Sequence, residues 1–207
     1  MNRTARPTRL PRTFYERDAI TVARALLGQK LVRIVEGERV AGIIVETEAY
    51  LGLPDKAAHT FNGRRTQRNA SMWLGGGHAY VYFTYGMHHC MNVVAGRADE
   101  PVAVLLRGLR PVEGVDTMFA RRRKVKRATD LASGPAKLCE ALAIDRTLDG
   151  TDLVASDTFF IERQRQRTYP TRCIVAGPRV GVHYAAEWAD APLRFHVRDD
   201  PHVSPAR

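Results

Sequence analysis

In the run Val45-Glu46-Thr47-Glu48-Ala49-Tyr50, the two-residue period of a strand puts Glu46, Glu48 and Tyr50 on one face and Val45, Thr47 and Ala49 on the other. Carboxylates and a phenol gathered this way are the groups of general acid–base chemistry. A solvated face, with only Val45 and Ala49 turned inward, is the competing reading, and spacing alone leaves the two equally open.

Tyr80, Tyr82 and Tyr85 lead to a turn where Tyr85, Gly86 and Met87 make an apolar tip, although hairpin tips are usually polar. Such a tip is either tucked under a neighbouring loop or is a wedge that pries stacked bases apart. With a three-residue loop, Tyr82 is expected to face Asn92 across the ladder, joining an aromatic platform to an amide that can sense a base edge.

The elements that must position these groups follow from patterning. Ala19, Val22, Ala23, Leu26 and Leu27 share a helical face, stopped by Gly28, with Thr13 and Glu16 or Asp18 as caps. LVRIV and VAGIIVETEAY read as a hairpin turning at Glu36-Gly37-Glu38-Arg39. From Leu51 to Gly77 the chain is polar, a long functional loop with short helical turns, and Gly75-Gly76-Gly77 is expected to loosen the approach to the next strand. HAYVYFTY, HHCMNVV and VAVLLRGL predict an antiparallel meander. A helix from about Glu113 runs into the basic run Arg121–Arg127, expected to be a flexible solvated patch. A second follows Ser133-Gly134-Pro135 and buries Leu138 and Leu142, and short strands fall near FFIER, CIVAG and LRFHV.

The pattern predicts an α+β fold: one compact domain, 14–207, with a curved antiparallel sheet, a protruding β-hairpin and surrounding helices, preceded by a basic disordered arm, 1–13, carrying Arg3, Arg6, Arg9 and Arg12. Of 207 residues 44% are hydrophobic, which excludes global disorder. The 32 Lys and Arg against 22 Asp and Glu leave a net charge of +10, the footprint of a polyanion binder. No apolar run reaches membrane-span length and no secretory pattern opens the chain, so an intracellular, membrane-free protein is expected. Cys90, Cys139 and Cys173 form no C-x-x-C pair and read as reduced thiols. His88, His89 and Cys90 alternate faces on a strand, so no metal site is expected.

VETEAYLG, AAH, YVYFTYGMHHCMNVV, VLLRGLRPVEG and SGPAKLCEAL, in this order and spacing, resemble the alkyladenine (3-methyladenine, methylpurine) DNA glycosylase family. The resemblance runs from about Phe14 to Ser204. It implies a monofunctional enzyme of base-excision repair that flips alkylated or deaminated purines out of duplex DNA and hydrolyses the glycosidic bond, without a cofactor and as a monomer.

By that resemblance Glu48 activates the attacking water and Arg107 helps position it. Tyr50, His59 and Tyr82 sandwich the base and hydrogen-bond its edge, and Asn92 crowds the 2-amino group of an ordinary guanine. Tyr85, with Met87 beside it, fills the hole in the helix. Lys137 and Arg179 match positions near the DNA backbone; Arg64, Arg65 and Arg68 in the long loop, and Ser133 and Gly134 at a helix start, join them as phosphate contacts. Glu46 is left to structure or salt bridging. A non-catalytic nucleic-acid-binding module and an RNA-modifying or RNA-binding factor are the alternatives, distinguished by release of free base and by competition between duplex DNA and structured RNA.

Overall fold

The computed structural model describes residues 8–205. Eight strands, β1 (Lys30–Val35), β2 (Glu38–Tyr50), β3 (Ala79–Thr84), β4 (His88–Ala95), β5 (Val102–Glu113), β6 (Phe159–Glu162), β7 (Ile174–Gly177) and β8 (Arg194–Val197), form one antiparallel sheet. Its main path runs β3-β4-β5-β2-β1-β6, with β8 joining β2 to β7. The helices are α1 (Arg12–Tyr15), α2 (Ala19–Leu26), α3 (Val115–Arg121) and α4 (Pro135–Ala141), so the fold is α+β as expected.

Helix α2 carries the expected stripe: Ala19, Val22, Ala23 and Leu26 are buried, and the Asp18 carboxylate caps the helix by accepting from the Thr21 N–H at 2.8 Å. The β1–β2 turn is tighter than expected. Val35 already pairs with Glu38, and both turn residues, Glu36 (φ 52°) and Gly37 (φ 81°), are left-handed, the two-residue geometry that matches strand twist. Likewise β5 extends to Glu113, where the expected helix would begin: Glu113 pairs with Ala41 of β2, and Lys30 (2.5 Å) and Arg39 hold its carboxylate. The helix starts only at Val115.

Three further expectations are corrected by packing. Residues 8–13 of the basic arm lie against the domain: Leu10 is fully buried, Arg9 bridges to Glu162, and Arg12 pairs with Asp152 and donates to the Gly76 carbonyl at 2.7 Å. Arg3 and Arg6 lie outside the described residues. The Gly75–Gly77 segment is tightly held, since a Cβ on Gly76 would meet the Tyr15 carbonyl at 2.8 Å and the Gly96 oxygen at 2.9 Å. Within the basic run, Arg122 is fixed by the Asp130 and Leu131 carbonyls and by Glu140 (3.0 Å), whereas Arg123, Lys124, Lys126 and Arg127 are exposed.

Candidate active site

Strand register assembles the site. Tyr80 pairs with Asn92, Asn92 with Leu105, Leu105 with Glu48 and Glu48 with Arg194, so one cross-strand row runs over five strands. The β3–β4 loop does hold three residues, Tyr85-Gly86-Met87, but this pairs Tyr82 with Cys90 and not with Asn92. Counted from the Thr84–His88 closing pair, the partner of Asn92 is Tyr80. Both tyrosines still share the face of Asn92, because their spacing is even.

Next to this row the β2–β5 pairing is irregular on both sides of Glu46. Ile44 pairs with Leu109, Glu46 with Gly108 and Thr47 with Leu106, which leaves Val45 extra on β2 and Arg107 extra on β5. A bulge re-aims a side chain without shifting the rest of the ladder. Here it directs Arg107 at the carboxylates: Nε lies 3.1 Å from Glu46 Oε1, and Nη1 lies 3.3 Å from Glu48 Oε1.

The solvated reading of the Glu46–Glu48 face is overturned, for both side chains are fully buried. Glu48 Oε1 also accepts from the Val180 backbone N–H at 2.7 Å, while Oε2 accepts from the Tyr50 hydroxyl at 3.0 Å. Burial raises the Glu48 pKa, and the Arg107 charge and these hydrogen bonds pull it back only in part. A carboxylate in that balance is poised as a proton acceptor closer to neutrality than an ordinary one.

Beside Glu48 a pocket with about 280 Å³ of empty space, counting the part open to solvent, is lined by Tyr50, Ala57, His59, Met72, Tyr80, Tyr82, Asn92 and Ala103. The His59 and Tyr82 rings meet edge to face at 4.7 Å, and the Tyr80 hydroxyl lies 2.7 Å from His59 Nδ1. Burial keeps Tyr80 protonated and lowers His59 to about 4, so the imidazole is neutral near pH 7. With Tyr80 assigned as donor to Nδ1, the ring proton sits on Nε2, a free donor for a ligand edge. Asn92 forms the wall, its amide donating to the Tyr80 carbonyl at 3.1 Å. At the hairpin tip Tyr85 is 86% exposed and Met87 70%, which removes the tucked-in reading.

The expected backbone-contacting residues divide. Arg64, Arg65 and Arg68 are exposed; Arg65 stacks over Trp73 at 4.8 Å, and Arg68 lies 5.5 Å over the Tyr82 ring, at the pocket rim. Lys137 is half-buried, Ser133 and Gly134 are buried, and Ser133 bridges to Gly108. Arg179 is a correction: its side chain is fully buried and donates twice to Asp55 (2.6 and 2.9 Å) and once to the Ala49 carbonyl. With no part of that side chain exposed, a phosphate does not reach it. Its guanidinium lies 4.6 Å over the Tyr50 ring and so braces the pocket wall instead.

Sequence reasoning passed over Tyr80, Val180, Asp55, Arg194 and Ser204 as site residues. Only Tyr80 left a signal, its spacing of two from Tyr82. Among the described residues no group of three His, Cys, Asp or Glu is arranged to hold a metal ion, and no helix is long and apolar enough to cross a membrane. Cys90 and Cys139 are buried free thiols and Cys173 is a partly exposed one.

A buried carboxylate beside an aromatic slot, rimmed by arginines and an exposed aromatic tip, has the build of an enzyme that handles a nucleic-acid base outside its stack. The sequence model for methylpurine-DNA glycosylases matches residues 13–201. The mouse DNA-3-methyladenine glycosylase is 44% identical over 95% of this chain and 61% of its own length, and the human protein of the same name is 45% identical over 95% and 68%. A Desulfitobacterium hafniense protein provisionally named for the same activity is 44% identical over 95% of this chain and 98% of its own. The chain belongs to the methylpurine-DNA glycosylase family.

Proposed function

We propose that this protein excises alkylated and deaminated purines, of the 3-methyladenine, 7-methylguanine, hypoxanthine and ethenoadenine class, from duplex DNA, leaving an abasic site. The observation that carries the reading is Glu48: fully buried, fixed by Val180 and Arg107, and hydrogen-bonded by Tyr50, which lines the aromatic pocket. A water held against Glu48 attacks the anomeric carbon of the flipped nucleotide and gives its proton to the carboxylate. The carbon–nitrogen bond breaks, and its electron pair leaves with the purine. N-alkylation makes the purine a better leaving group, so a base, a positioned water and a tight pocket suffice there; an uncharged lesion such as hypoxanthine leaves as the anion and takes its proton from solvent.

Selection and flipping draw on the remaining residues. Tyr50, His59 and Tyr82 enclose the base, and stacking of about 1–3 kcal/mol per base offsets the few kcal/mol of unstacking. Tyr85 fills the vacated space in the helix, with Met87 beside it, and Arg64, Arg65, Arg68 and Lys137 steer phosphates. The test is single-turnover excision from duplexes bearing one hypoxanthine or ethenoadenine. Glu48→Gln is expected to abolish release of free base while damaged-duplex binding stays within a few-fold. A Glu48→Gln protein working at the wild-type rate removes this reading.

A further inference from the structure

Glu46 sits in a fully buried site with more partners than a structural ion pair needs. Its Oε1 accepts from Arg194 Nε at 2.6 Å, from Ser204 Oγ at 2.8 Å and from Arg107 Nε at 3.1 Å; its Oε2 accepts from the Ser204 backbone N–H at 2.6 Å. Ser204 uses every polar group it has there. Its hydroxyl also accepts from Arg107 Nη2 at 3.2 Å, and its carbonyl accepts from Arg194 Nη2 at 3.1 Å.

Seen from Arg107, this arrangement is directional. Of the three guanidinium nitrogens, Nε is held by Glu46 and Nη2 by Ser204, which leaves Nη1 aimed at Glu48. The planar fork is rigid, so fixing two nitrogens fixes the third. Arg107 is also the extra residue of the β5 bulge, without a ladder partner to restrain its backbone. Gly108 lets the outer segment lie close, since a Cβ there would meet the His202 carbonyl at 2.9 Å and Glu46 Cβ at 3.2 Å. His202 in turn is tied to Asp200 at 2.9 Å.

We propose that Glu46 and Ser204 form a clasp that aims Arg107 at the Glu48 carboxylate, which makes both of them positioning residues for base excision. The proposal rests on the reading above of Glu48 and Arg107. Ser204 lies 156 positions beyond Glu48, so excision geometry depends on the Asp199–Ser204 segment closing over β5. Arg194 anchors the same carboxylate from β8 and so holds Glu46 in place for Arg107.

The experiment compares full-length wild type, Ser204→Ala and Ser204→Thr on a hypoxanthine duplex. It measures the single-turnover rate at saturating enzyme, the half-saturating concentration and the melting temperature. Ser204→Ala keeps the backbone ties to Glu46 and Arg194 and so leaves the fold a route to close. A misaimed catalytic group costs on the order of 10- to 100-fold in rate. Ser204→Ala is expected to lose about 10-fold in single-turnover rate, with half-saturation within about 2-fold, and Ser204→Thr, which restores the hydroxyl, to recover most of it. A wild-type rate in Ser204→Ala overturns the clasp, as does a loss that Ser204→Thr fails to rescue. If Glu48→Gln is inactive while Ser204→Ala is unaffected, the clasp alone falls; if Glu48→Gln is active, the underlying reading falls first.

Discussion

Asp55 and Arg179 are joined by two hydrogen bonds, 2.6 and 2.9 Å, with neither side chain exposed. The pair links the loop after β2 to the segment that supplies the Val180 N–H, and Arg179 lies against the Tyr50 ring. Removing one partner of a buried pair strands the other charge, at a cost of about 3–5 kcal/mol. Asp55→Asn is therefore expected to lower the urea midpoint by that equivalent. A midpoint within 0.5 kcal/mol of wild type, taking roughly that figure as the range of a surface substitution, contradicts the structural role assigned to Arg179.

His59 imposes a pH signature on stability. Its pKa is lowered to about 4 in the folded chain, chiefly by burial, with Arg68 and Arg64 adding to the shift, against roughly 6.5 unfolded. Between these values the unfolded chain binds the proton and the folded one does not, so stability falls as pH drops from about 6.5 toward 4 and is unaffected above that window. Urea unfolding of wild type and His59→Asn across pH 4–8 reads the difference. The advantage of the wild type over the variant is expected to shrink toward acid, and parallel curves would show that His59 is not kept neutral by the fold.

On the proposed reading Asn92 is the residue that discriminates between purines. It is 4% exposed, pinned to the Tyr80 carbonyl, and set where it can press on the edge of an inserted purine. Guanine carries a 2-amino group that hypoxanthine and adenine-derived lesions lack. Asn92→Ser relieves the clash and is expected to raise guanine excision from mismatches by roughly tenfold or more, while hypoxanthine excision stays similar or falls. Rates on matched duplexes, with Glu48→Gln as the inactive control, decide it; an unchanged guanine-to-hypoxanthine ratio would move selectivity to the flipping equilibrium.

What was legible in the sequence was local. The α2 stripe, the β1–β2 hairpin and the β3–β4–β5 meander are written in apolar period and turn residues, and the aromatic face of β3 in a spacing of two. The partner of Tyr82 lies two residues from the expected Asn92, because the three-residue loop closes at Thr84–His88. The burial of Arg179 left no trace, since an arginine in a basic chain looks like a phosphate ligand until Asp55, distant in sequence, is folded onto it. Val180 contributes a backbone N–H, which any residue but proline carries. Ser204 meets Glu46 only through the path of β8 and the segment beyond it.

The row Tyr80–Asn92–Leu105–Glu48–Arg194 has one more implication. Asn92 and Glu48 are carried two strands apart on a single hydrogen-bonded ladder, with Leu105 between them, and the spacing between neighbouring strands is about 4.8 Å. On the proposed reading the site is a mould cast in advance and the nucleotide is the moving part: the swing of the sugar, the opening of the stack and the loss of pairing all happen in the DNA. On that reading discrimination has two stages in series: how readily each duplex deforms, a property of the damage itself, and then how the flipped base fits against Asn92.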